Sequence, residues 1–177
     1  MPGITWVAIS YRLPREPSRP RLAAWRRLKR LGATLLHDAV WLLPSDAKTR
    51  EAFEWLADEI EEQEGTAFVW EATSLGAAQD QTIVAQFRAA ADERYAAIAE
   101  SAEGLRRLGT RLRPASGGRL EHARRRLAGL ERALRLEGRR DHFRAAGRRE
   151  AEDALRAAAR ALPDPAREKG RADAVGD

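Results

Sequence analysis

The chain has 177 residues, 44% hydrophobic and 33% charged, with a formal net charge of +5; that composition suits one or two small folded domains and excludes a disordered chain. Its longest apolar runs are strand-sized, as in residues 40–43, so nothing approaches the ~20 residues of a membrane-spanning helix, and with no secretory signal a cytoplasmic address is expected. Cysteine is absent, which excludes disulfides, thiolate metal sites and a cysteine nucleophile.

Residues 4–11 are rich in β-branched and aromatic side chains and read as a buried strand. A loop punctuated by Pro14, Pro17 and Pro20 leads into a helix over 21–31, with Leu22, Trp25 and Leu28 as its apolar positions and Gly32 as its stop. Residues 33–36 and 40–43 are strand-like and separated by His37-Asp38-Ala39, forming one bent strand or a tight hairpin ended by Pro44. Ser45 is placed to cap a second helix, which turns Phe53, Leu56, Ala57 and Ile60 inward and stops at Gly65. Residues 66–71 form a last strand, with Phe68 and Trp70 on the face opposite Ala67 and Val69. The order strand–helix–strand(s)–helix–strand is ferredoxin-like. Its first helix is basic and its second acidic, so the two can pair across their rims.

Beyond about residue 78 the period changes to that of helices. Ile83, Phe87, Ala91, Tyr95, Ile98, Ala102 and Leu105 mark one long amphipathic helix, broken at residues 114–118. Leu120, Ala123, Leu127, Leu130 and Leu134 make a second stripe, and Phe143, Ala146, Leu155, Ala158 and Leu162 a third. Arg140-Asp141 stands between them as a hinge, with Asp141 as a helix N-cap. The expected class is therefore α+β. Residues 1–76 are a ferredoxin-like domain, 77–162 a helical hairpin or three-helix region, and 163–177 a disordered tail.

Charge is unevenly spread. Residues 1–76 carry 10 basic and 11 acidic side chains, and residues 77–177 carry 22 and 16. Residues 12–30 hold eight basic side chains against Glu16 alone, and residues 106–149 hold fifteen arginines against four acids. Such runs are either solvated faces or anion-binding surfaces. The loop with Arg12, Arg15, Arg19 and Arg21 enters a helix N-terminus, where backbone N–H groups also favour an anion. With Arg26 and Lys29 these residues form the candidate nucleic-acid surface. The five tryptophans all precede residue 77, and their periodic placement points to packing before base stacking. His37, His122 and His142 show no metal-ligand spacing, and no nucleophile elbow or phosphate loop is present. A non-enzymatic protein without metal or cofactor is expected.

The segments 6–14, 25–33 and 36–44, in that order and spacing, resemble the N-terminal domain of ChrB-type chromate resistance proteins. Residues 85–95 and 130–143 extend the resemblance over nearly the whole chain. More distantly, the first half is similar to ferredoxin-like domains of phenylacetate-pathway repressors and of CRISPR-adaptation nucleases. The nucleases' catalytic aspartate has no counterpart, because the first strand ends in Tyr11-Arg12. The ChrB resemblance implies a DNA-binding transcriptional regulator that responds to chromate or sulfate. Arg139, Arg140, His142 and Arg148, around the hinge, are then the candidate oxyanion ligands. It also implies a C-terminal chromate-resistance domain, which is expected to be missing from these 177 residues. The alternative is a non-catalytic interaction module, acting as a homodimer or with a separately encoded partner that carries that domain.

Overall fold

A computed structural model of the protein describes residues 3–113 and 116–163. From residue 164 on, the expected disordered tail lies outside the described residues, as do Pro114 and Ala115 of the expected helix break. In chain order the elements are β1 (Thr5–Arg12), α1 (Arg19–Leu31), β2 (Thr34–His37), β3 (Val40–Pro44), α2 (Ala47–Glu61), β4 (Thr66–Thr73), α3 (Ala77–Gly109), α4 (Gly118–Arg140) and α5 (Gly147–Ala161). The α+β class read from the sequence is the one observed. An antiparallel sheet in the order β2-β3-β1-β4 carries the ferredoxin-like topology, and only helices follow it. The chain divides into two compact units. Among the described residues, the first runs to Ala90 and includes Arg140–Arg144; the second is Ala91–Arg139 with the chain that follows from Ala145.

In the first unit, residues paired across antiparallel strands share a face of the sheet. Ile9 pairs with Trp41 and Val69, so these lie on one face with Val7 and Leu43. Here α1 packs, its Lys29 ammonium 5.5 Å from the Trp41 ring. The other face carries Trp6, Ala8 and Leu42, all buried. Trp6 stacks on Phe87 of α3 at 5.8 Å, and Phe143 closes the cluster 5.2 Å from Phe87. Asp80, in the first turn of α3, is itself buried. It accepts hydrogen bonds from the Ile4 N–H at 3.0 Å, Trp6 Nε1 at 2.8 Å and the Ser74 hydroxyl at 2.6 Å. One carboxylate thus joins the start of β1, the β4–α3 loop and α3.

Several local expectations are corrected. Leu22 and Trp25 are each 46% exposed, and the buried positions of α1 are Ala24 and Leu28. Alanine lets the helix approach the sheet, and Trp25 is left at the rim beneath Lys29. The cap of α2 is Asp46, not Ser45: its carboxylate accepts from Thr49 N–H and the Thr49 hydroxyl accepts from Asp46 N–H. Ser45 instead donates to Glu71. After α2 the left-handed residue is Glu64, φ 58°, and not Gly65. Gly65 is required for space, since a Cβ there would meet the Arg12 carbonyl oxygen at 2.7 Å.

In the second unit, Tyr95, Ala102 and Leu105 of α3, Ala123 of α4, and Ala151 and Ala158 of α5 form the core. Glu137 of α4 is fully buried, and Arg94 donates to it at 2.6 Å. Asp141 does not cap α5. The N-cap is Ala146, without a side-chain bond, and Asp92 of α3 accepts from the Gly147 N–H at 2.7 Å in its place. Phe143 leaves the third stripe for the first unit's core, and Ala146 is exposed.

Candidate functional site

Between β1 and α1 the chain turns sharply, with Pro14 and Pro17 setting its path and Pro20 in the first turn of the helix. Ser18, the N-cap of α1, makes no side-chain hydrogen bond to the helix. The first-turn N–H groups of α1 therefore lack a side-chain cap. Arg12, Arg15 and Arg21 line one open cleft of about 480 Å³, with Glu64 and Thr66 on its far side. Arg21 Nη2 donates to the Arg15 carbonyl at 2.6 Å, which fixes the loop against the helix.

Of the six residues expected to hold phosphates, the structure gathers these three. Arg19 faces a separate groove between α1 and α2, lined also by Leu56, Glu59 and Glu62. Arg26 is exposed along α1, and the Lys29 ammonium lies over the Trp25 and Trp41 rings. None of the six forms an ion pair among the described residues. Neighbouring basic residues do: Arg27 pairs with Glu59 across the α1–α2 rim, as the complementary helix charges suggested, and Arg50 with Glu71 at 3.0 Å. Three arginines lining one concavity bring together the residue type whose planar donors suit a phosphate or another tetrahedral oxyanion.

The four candidate oxyanion ligands are divided between the units. Arg140 and His142 belong to the first and meet at the C-terminus of α1. Arg140 Nη1 donates to the Lys29 carbonyl at 3.3 Å, and His142 Nε2 lies 3.0 Å from the Leu31 carbonyl oxygen. Basic groups at a helix C-terminus satisfy its last carbonyls and suit the negative end of its dipole. Arg139 is exposed in the second unit, where Arg148 donates to Glu152 at 2.8 Å.

The sheet face that carries Trp6 stays open at its other end. Phe68 and Trp70 are 65% and 44% exposed there, their ring centroids 6.4 Å apart. Ser10 pairs with Phe68, and Arg12 with Thr66 in the next row. The alternation of 67–70 announces this side of the sheet, but the expectation that the tryptophans pack inward concealed the pair. Trp6 and Trp41 are buried; Trp25, Trp55 and Trp70 are exposed. On the opposite face, in the row of Ala67, burial pushes the Tyr11 phenol up from its ordinary value. Among the described residues no helix is long and apolar enough to cross a membrane.

The family model described as Protein ChrB, N-terminal, matches residues 21–169. Protein ChrB of Cupriavidus metallidurans is 36% identical over 91 residues, a stretch that covers 51% of this chain and 27% of that protein. The matched part is thus about a quarter of the relative's length. No solved structure matches the chain.

Proposed function

This chain belongs to the family of ChrB N-terminal domains, and from that premise we propose that it is a chromate-resistance regulator that binds DNA through the arginine cleft of its first unit. The observation that carries this reading is the convergence of Arg12, Arg15 and Arg21, none of them ion-paired among the described residues, beside a helix N-terminus without a side-chain cap. Guanidinium groups in such a cleft neutralise backbone phosphates and fix the protein's register on a duplex. Arg26 and Lys29 extend the same charge along α1.

The effector in this proposal is chromate or sulfate, held at Arg140 and His142. Both side chains already engage the last carbonyls of α1. A tetrahedral dianion taking up their donors would compete with those carbonyls and loosen the end of the helix that bears Lys29. Effector and DNA would then be coupled through one helix, a local trigger acting on a two-state element. Calorimetry with chromate and with sulfate tests this arm. Heat in the wild type that disappears in Arg140→Ala supports it, and no heat in the wild type removes it.

A second reading, a non-catalytic module for a protein partner, is favoured by Leu22, Trp25 and Leu35, exposed on α1 and the edge strand β2. Duplex retention at low salt separates the two. Arg15→Glu with Arg21→Glu should abolish retention, and losing the exposed Arg21 hydrogen bond to the Arg15 carbonyl should lower the thermal midpoint by no more than about 5 °C. Retention that survives this pair moves DNA binding elsewhere; no retention by the wild type favours the module.

A further inference from the structure

We infer that the open end of the outer sheet face is a stacking platform for unpaired DNA bases, with Phe68 and Trp70 as its two aromatic supports. Four observations converge. Both rings are largely exposed although a four-stranded sheet offers a core on its other side. They stand two residues apart on one strand with ring centroids 6.4 Å apart and planes tilted by 54°. Their neighbours on the face are small or polar: Ser10 beside Phe68, Val40 beyond it, and His37 paired with Val40 at the edge strand. Arg12 stands in the adjoining row opposite Thr66 and is also a wall of the arginine cleft.

The paired strand residues of this face, Thr66, Phe68, Trp70 and Ala72 of β4 with Trp6, Ala8, Ser10 and Arg12 of β1, include no acid; the Asp80 carboxylate that reaches Trp6 comes from α3 and is buried. Exposed rings with a guanidinium in the adjoining row match the chemistry of a single strand, whose bases stack and whose phosphates need a cation. A protein partner would need about 800 Å² of continuous surface per side; here two rings are bordered by Ser10, Arg12 and Thr66. The choice of DNA as the polymer rests on the function proposed above, because Arg12 is common to both surfaces. The platform adds a second class of contact: bases beside phosphates, and single strand beside duplex.

The test uses the full chain and a fluorescein-labelled oligothymidylate of about 12 nucleotides, with anisotropy and tryptophan quenching at 50 mM salt as readouts. Each stacked base contributes about five- to hundredfold in affinity. Phe68→Ala with Trp70→Ala should therefore weaken the single strand at least 25-fold while changing duplex affinity less than twofold. Phe68→Tyr with Trp70→Phe should retain single-strand binding, because both replacements stack. Both sites are exposed, so the thermal midpoint confirms that the variants fold. Four results would overturn the assignment: no single-strand binding by the wild type, unchanged affinity in the alanine pair, equal losses for duplex and single strand, or a wild-type dimer that the alanine pair makes monomeric. Tighter binding of the matching oligouridylate would overturn DNA as the polymer. The two proposals fail separately. Single-strand binding without duplex binding sinks the regulator and keeps the platform, and the reverse sinks the platform alone.

Discussion

Gly32 is where α1, β2 and the 140–144 segment meet, and replacing it with alanine isolates that junction. Its φ is +76°, and a Cβ would lie 2.5 Å from the Arg140 carbonyl oxygen and 2.8 Å from the Arg140 Cβ. The left-handed backbone costs a non-glycine residue about 1–2 kcal/mol. Forcing the Arg140 backbone aside adds about 1–3 kcal/mol, as in other overpacked sites. Phe143 would move with it and disturb the cluster with Trp6 and Phe87. The total, about 2–5 kcal/mol, lowers the midpoint of a unit this size by about 8 °C or more. All five tryptophans lie in the first unit, so their fluorescence follows its unfolding selectively. Gly117→Ala is the control: φ is +46° but nothing lies within 4 Å of the new Cβ, and the tryptophan transition should not move. A Gly32→Ala midpoint within about 3 °C of the wild type would refute the close approach of Arg140 to α1.

Three further outcomes are expected. Hydrogen bonds from Ser74, Trp6 and the Ile4 backbone hold the Asp80 carboxyl below its usual value. Its stabilisation is therefore complete above the unfolded value of about 3.9 and lost as pH falls through the lower folded value; in an acid titration of tryptophan fluorescence, Asp80→Asn should unfold more easily at pH 7 and lose that part of the acid dependence. Asp46→Ala removes the capping box of α2 and should cost about 1 kcal/mol in urea unfolding; no change would argue against the cap. Arg94→Ala removes a guanidinium that donates to the buried Glu137 and, with Arg94 partly exposed, should cost about 2 kcal/mol. That loss should appear in the far-ultraviolet helix signal and not in tryptophan fluorescence.

The elements were legible wherever a local period decided them. Enrichment in β-branched and aromatic residues marked 4–11 as a strand, alternation in 66–71 placed Phe68 and Trp70 opposite Ala67 and Val69, and the apolar repeat from Ile83 to Leu105 marked α3. What escaped depended on distant partners. Phe143 sits in a helical-looking stripe, yet its contacts are Trp6 and Phe87. The start of α5 is capped by Asp92, 55 residues earlier in sequence, so a nearby Asp141 looked sufficient. Trp25 has helical spacing but faces the rim, because the sheet beneath α1 admits Ala24 and Leu28. At the candidate site, composition located the basic loop, while its proline-bent path separates Arg19 from Arg12, Arg15 and Arg21. Nothing in residues 139–148 told that Arg140 and His142 would meet the last carbonyls of α1.

The most direct test of the arginine cleft is the salt dependence of duplex binding, measured for the wild type and for Arg15→Ala with Arg21→Ala. Three arginines neutralising three phosphates correspond to a slope of log affinity against log salt of about −2.7, or roughly 40-fold weaker binding between 50 and 200 mM salt. With two of them removed the slope should fall to about −0.9, leaving a loss of only threefold to fourfold over the same range. Equal slopes for the two proteins, or no duplex binding by the wild type at 50 mM salt, would contradict a phosphate-holding role for Arg12, Arg15 and Arg21.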